Sequence, residues 1–181
     1  GNKDFVSRLN SMRAHLDYDG ILAKAISKHP VILGYYFNID VDESESPRAG
    51  SLPQPLLGDE AFEGKNIQIL TATGYGGNIH ELAKTAHGAG HFTQQPDRDG
   101  IVRRVPMLMR FQDQYYGSLS LEILRWILGD AEVVPRFGEP LWDTDGYPGL
   151  EWLMVGGVGI PVDRHAKTLV PFRGKQRSFR Y

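Results

Sequence analysis

Segments with helical apolar spacing alternate along this chain with short runs of β-branched and aromatic residues, and each apolar run is long enough for one buried element only. Phe5, Leu9, Met12 and Leu16 recur at spacings of four and three, which predicts a first helix with one stripe turned to a core. Asp17 or Asp19 can cap a second helix, with Ile21, Leu22, Ala25 and Ile26 as its apolar face until Pro30 ends it. The run VILGYYF that follows, residues 31–37, reads as a buried strand. This alternation, with no internal repeat, predicts a single α/β domain whose mixed β-sheet is packed by helices.

Between 38 and 65 the composition turns to Ser, Glu, Asp, Pro and Gly, and Pro47, Pro53 and Pro55 oppose both helix and central strand, so a long, mobile loop is expected. Residues 66–71 restore a strand pattern, a glycine cluster follows at Gly74, Gly76 and Gly77, and Asn78 is placed to cap a helix reaching His87. Residues 102–111 are strand-like on both sides of Pro106, which puts that proline at a bulge or an edge, and 112–117 should turn the chain. Ser118 opens a helix with Leu119, Ile123, Trp126 and Ile127 inward and Gly129 at its stop. Residues 151–160 and 167–172 then read as two strands of a hairpin joined through 163–166.

The 181 residues are enough for one core, and a net charge of -2 gives no field to hold a nucleic-acid backbone, so no nucleic-acid partner is expected. With no cysteine there is no disulfide, thiolate metal site or thiol nucleophile, which is compatible with an oxidising compartment. No apolar run approaches the roughly 20 residues needed to cross a bilayer. The chain opens on Gly1 rather than Met, as an excised segment would, so it is expected to be a piece of a longer protein.

Several residue groups could carry chemistry, and each also has a plain structural reading. Gly74 and Gly76 match the first two positions of a dinucleotide fingerprint, but Ile79 stands at the third and no Gly-Lys-Ser/Thr follows, so a structural turn is favoured. His80, His87 and His91 are weak metal candidates: on one helix His80 and His87 would stand about 10 Å apart along the axis, too far to share an ion unaided. Solvated histidines, or a pH-sensing one, fit better. No G-x-S-x-G elbow is present, and Asp143 with Asp145, or Asp97 with Asp99, read as turn residues rather than acid-base pairs. No catalytic residue and no cofactor is therefore assigned.

The most distinctive stretch is GHFTQQPDRDGIVRR, residues 90–104, followed by VPMLMRF. Asp97 to Gly100 should make a tight turn with Gly100 at positive φ, and Arg103 and Arg104 should point to opposite faces of the next strand. Either these residues form a salt-bridged turn, or Asp97, Asp99, Arg103 and Arg104 contact an anionic ligand, with Gly100 and Pro106 as structural members.

In this stretch and around it the sequence resembles the type-two CHASE domain, a sensory extracellular module associated with cyclases and histidine kinases. The resemblance rests on the order of several motifs: Asp19, Leu22, Ala23, Ala25 and Ile26 before VILGYYF; Gly90 and Phe92; Asp97, Asp99, Gly100, Arg103, Arg104 and Pro106; Ser118 to Glu122 as SLSLE; and IPVD at Ile160 to Asp163, then a strand ending in FRG. It spans residues 18–181, and the strand–helix–strand unit expected upstream and the closing glycine-bearing strand are missing, so an interior piece of an ectodomain is expected. The resemblance implies a non-catalytic input domain outside the cytoplasmic membrane, taking an unknown small-molecule ligand, acting as a homodimer, and meeting the membrane only through flanking transmembrane segments. Its output would be a cytoplasmic cyclase, kinase or diguanylate cyclase. Two other readings are a soluble α/β enzyme holding an anionic metabolite near residues 74–78, and a structural dimerisation module using Tyr35, Tyr36, Tyr115 and Tyr116.

Overall fold

The computed structural model of the chain describes residues 2–39, 42–138 and 149–172. Asp143, Asp145 and the FRG segment beyond Phe172 lie outside the described residues. The first half runs α1 (Asn2–Leu16), α2 (Tyr18–Ile26), β1 (Ile32–Asn38), β2 (Arg48–Ala49), β3 (Leu57–Gly58), a 3-10 turn (Asp59–Phe62), β4 (Gly74–Gly76), α3 (His80–Thr85) and β5 (Gly88–His91). The second runs β6 (Arg104–Pro106), β7 (Leu108–Phe111), β8 (Gln114–Gly117), α4 (Leu119–Ile127), β9 (Val133–Phe137), β10 (Leu150–Val155), β11 (Val158–Pro161) and β12 (Lys167–Leu169). The domain is a mixed α/β one, but its strands are shared among four small sheets rather than one.

Asp17 caps α2, its carboxylate accepting from the Gly20 amide at 3.0 Å. The apolar faces of α1 and α2 differ from expectation. Phe5, Leu9, Met12 and Leu16 are all at least half exposed, and on α2 Ala23 and Ile26 are buried while Ile21, Leu22 and Ala25 are not. Spacing alone shows that a stripe exists and not that a partner covers it.

Strand β1 is central in a sheet ordered β2-β4-β1-β5, antiparallel to β4 and parallel to β5. The glycine cluster is thus a strand and not a phosphate-binding turn. A Cβ on Gly74 would lie 2.4 Å from the Pro47 carbonyl oxygen, so the close approach of the neighbouring backbone demands glycine there. Asn78 does not cap α3; its amide donates to the Gly34 carbonyl at 2.9 Å, and Ile79 takes the cap position. With α3 ending at Thr85, His87 falls beyond the helix, where its backbone N–H donates to the Val31 carbonyl.

The 38–65 segment is more ordered than a bare loop: it supplies β2, β3 and the 3-10 turn, and Phe62 enters the core. Residues 66–71 form no ladder, and only Thr71 makes an isolated bridge, to Arg110. After β6, Met107 leaves the strand path and its N–H donates to Ala166, so Pro106, which has no N–H to give, sits where pairing changes partner. The 112–117 segment is only partly a turn: Gln112 and Asp113, at φ 48° and 60°, connect β7 to β8 in a two-residue hairpin, and 114–117 is strand.

Ser118 caps α4 by accepting from the Leu121 amide at 3.2 Å, and Gly129 leaves the helix at φ 75°. Its buried face is Leu121, with Leu124 and Leu128 packed against the core, whereas Ile123, Trp126 and Ile127 are exposed. The expected hairpin between 151–160 and 167–172 is not formed. Gly156 and Gly157 instead fold residues 150–161 into their own hairpin, β10–β11, and β12 pairs with β6. Leu108, Tyr115, Leu121, Leu150, Leu153 and Val155 centre the larger core; Tyr35, Phe37, Met109 and Phe111 centre the smaller one beneath β1. Of the four tyrosines suggested for an interface, only Tyr36 is exposed.

Candidate functional site

The turn singled out in the sequence closes as its residue types require. Gly100 takes φ 79°, its N–H donates to the Asp97 carbonyl at 2.8 Å, and Asp99 accepts from the Ile101 amide at 3.2 Å. Arg103 donates to Asp97 at 2.9 Å and to both oxygens of Asp99 at 2.9 and 2.7 Å, a fork-on-fork arrangement. The Arg103 hydrogen bonds and the Ile101 amide hold the Asp99 carboxyl down to about 2, and the same pairs raise Arg103. Arg104 turns away to Asp163 at 3.8 Å, and Asp163 also caps its own turn by accepting from the His165 and Lys167 amides. The two arginines therefore serve different carboxylates, and an incoming anion would have to displace one of them.

A second place has the shape of a binding site. A cavity of about 640 Å³ opens between the 51–54 segment, α3, the start of β5 and α4, within the usual size range for small-molecule pockets. Its apolar lining comes from Ile32, Leu52, Pro53, Ala83, Ala86 and Ala89. His80 and Lys84, four residues apart on α3, both line it and have no hydrogen-bond or ion-pair partner among the described residues. The α4 side carries Glu122 and Arg125, joined at 2.8 Å, with Arg125 Nε also donating to the Ala131 carbonyl at 2.9 Å. Burial pushes the Glu122 carboxyl up, and Arg125 opposes that shift. His87 and Asp130 meet at 2.9 Å on the same rim, with the imidazole edge-on to Trp126 at 6.2 Å.

A model of the CHASE2 domain matches residues 3–181. The chain belongs to the CHASE2 domain family. That family consists of sensory extracellular domains, and the match begins fifteen residues before the part of the chain on which the motif order rests. No curated protein and no solved structure matches the chain.

In this CHASE2 domain the three histidines are separated. His80 and His87 line the cavity, while His91, 1% exposed, is packed beside Tyr35 and Phe37 with ring centroids 6.4 and 5.8 Å away. No group of three or more metal-ligating side chains forms among the described residues. Neither ring nitrogen of His91 nor the Tyr35 hydroxyl has a hydrogen-bond partner there, and burial pushes the imidazole down to about 4 and the phenol up.

Sequence reading reached His80 and His87 as metal candidates but missed Lys84, Glu122, Arg125 and Asp130. The i,i+4 pair His80–Lys84 and the i,i+3 pair Glu122–Arg125 are the signals the sequence holds for them. Glu122, Arg125 and Asp130 come from about forty residues further along the chain and reach the cavity only in the folded domain.

Proposed function

We propose that this CHASE2 domain is the non-catalytic extracytoplasmic input domain of a bacterial transmembrane receptor. It passes the presence of a small molecule to a cytoplasmic cyclase, kinase or diguanylate-cyclase output. The observation that carries this reading is the family match over residues 3–181. The cavity supports it, because a sensor needs a site whose occupancy favours one arrangement of the receptor over another. A homodimer held by flanking membrane segments completes the proposal: none of the described helices is itself long and apolar enough to cross a membrane. The enzyme reading has lost its anchor, since residues 74–76 are committed to strand pairing. A purely structural dimerisation module stays as a second reading because α1 and α2 expose Phe5, Leu9, Tyr18 and Ile21.

These 181 residues hold no cysteine, so one introduced here reports on this domain when the changed receptor is compared with the unchanged one. With Glu132, an exposed residue after α4, changed to cysteine in the full receptor, a membrane-impermeant maleimide should label intact cells. Labelling only after lysis would remove the extracytoplasmic reading.

A further inference from the structure

We infer that the cavity between α3 and α4 binds the carboxylate group of a small organic acid, α-amino acids included, with Lys84 and His80 as its anchors. The inference rests on the sensory reading and names the ligand chemistry of its site. His80 and Lys84 stand one turn apart on α3 and both reach the cavity, so a carboxylate placed there meets two nitrogen donors from one wall. The other basic side chains of the cavity are already engaged, Arg125 by Glu122 and His87 by Asp130. An anion therefore finds an available charge only on the α3 side.

The opposite wall limits what that anion can be. Glu122 and Asp130, each held by its own nitrogen partner, leave no free positive group on the α4 side, so the second charge of a phosphate dianion would go unmatched there while a singly charged carboxylate is served by α3 alone. The apolar floor, with Ile32, Leu52, Ala86 and Ala89, is suited to a short hydrocarbon body and is of no use to a bare inorganic ion. In a zwitterion the ammonium would lie toward Asp130, whose side chain is 59% exposed and whose Oδ1 alone is held by His87.

The test is calorimetric titration of the full chain with a panel of short monocarboxylates, α-amino acids and inorganic phosphate. At least one carboxylate should bind, and Lys84→Gln should weaken it about tenfold or more, the usual loss for a charge-assisted contact. Lys84→Arg should restore most of the affinity, and Lys28→Gln in the exposed turn after α2, outside the cavity, should leave it unchanged. Selective weakening of amino acids by Asp130→Asn would identify the zwitterionic arm; asparagine suits the φ of 59° there, so the fold is kept. Equal binding of simple acids to Asp130→Asn would identify the monocarboxylate arm. Binding of phosphate alone, no carboxylate binding at millimolar concentration, or affinity that survives Lys84→Gln would overturn the inference. Maleimide labelling of the receptor tests the extracytoplasmic placement on which the sensory reading depends, independently of all three.

Discussion

At the 97–100 turn Arg103 is gripped by two carboxylates at 2.7 to 2.9 Å, whereas in the α3–α4 cavity Lys84 and His80 have no such partner among the described residues. The turn is the more conspicuous in sequence because its charges are neighbours and satisfy one another locally. The cavity is inconspicuous because its charges come from separate elements and only the folded chain assembles them. A dense charge motif is thus a poor guide to ligand sites when its members can pair among themselves, and an isolated cation on a helix facing a cavity is a better one.

The largest effect should come from the backbone contact that seats α4 on β5. A Cβ on Gly90 would lie 2.5 Å from the Leu119 Cα and 2.7 Å from the Ser118 carbonyl carbon, so Gly90→Ala must push β5 and α4 apart. Urea denaturation should show a loss of about 3 kcal/mol or more. A fall below 1 kcal/mol, about the cost of a surface change, would mean that α4 is not seated on β5.

Next comes His91, on the strand leading from the cavity toward the turn. Its native imidazole resists protonation until about pH 4 while the unfolded one titrates near 6.5. The unfolded state then binds more protons between those limits, so stability falls as pH drops from 6.5 toward 4, by up to about 3 kcal/mol from this group. His91→Phe should flatten that part of the stability profile, and an unchanged slope would show that the imidazole is not excluded from water.

Removing Arg125 from the cavity wall by Arg125→Met breaks its bonds to Glu122 and to Ala131, and should cost about 2 kcal/mol because Glu122 is left partly buried without its cation. Gly100→Ala meets no atom within 4 Å but must adopt φ 79°, so a loss of about 1 kcal/mol is expected.

Arg103→Gln should change stability least, since its pairs lie in solvent. Its readout is the Asp99 titration followed by NMR. The carboxyl, held near 2 in the native domain, should move up into the ordinary carboxylate range. Asp99 is depressed, so its contribution is present above that range and lost as pH falls through about 2. A large stability loss in Arg103→Gln would erase the contrast between turn and cavity.

Where the sequence reading succeeded, the deciding interactions were close in the chain. Asp17 and Ser118 cap helices by reaching amides three residues on, Gly129 ends α4, and the Asp97–Gly100 turn bonds within itself. Where it failed, a distant element had the last word. Ile123, Trp126 and Ile127 have the right spacing for a core face, yet the core takes Leu121, Leu124 and Leu128 from α4 instead. Gly156 and Gly157 escaped notice inside a strand pattern, although two glycines between apolar runs are a hairpin signal.

The amino-acid sequence determined the family, through the order of its motifs, and with it the mixed α/β class and most of the caps and tight turns. The tertiary structure alone decided which stripe of each helix is covered, that the glycine cluster is a strand, and that α3 and α4 enclose a charged cavity. The physical reason is range: a cap or a positive φ is a transaction between adjacent residues, while burial and the availability of a charge depend on what the rest of the chain brings alongside.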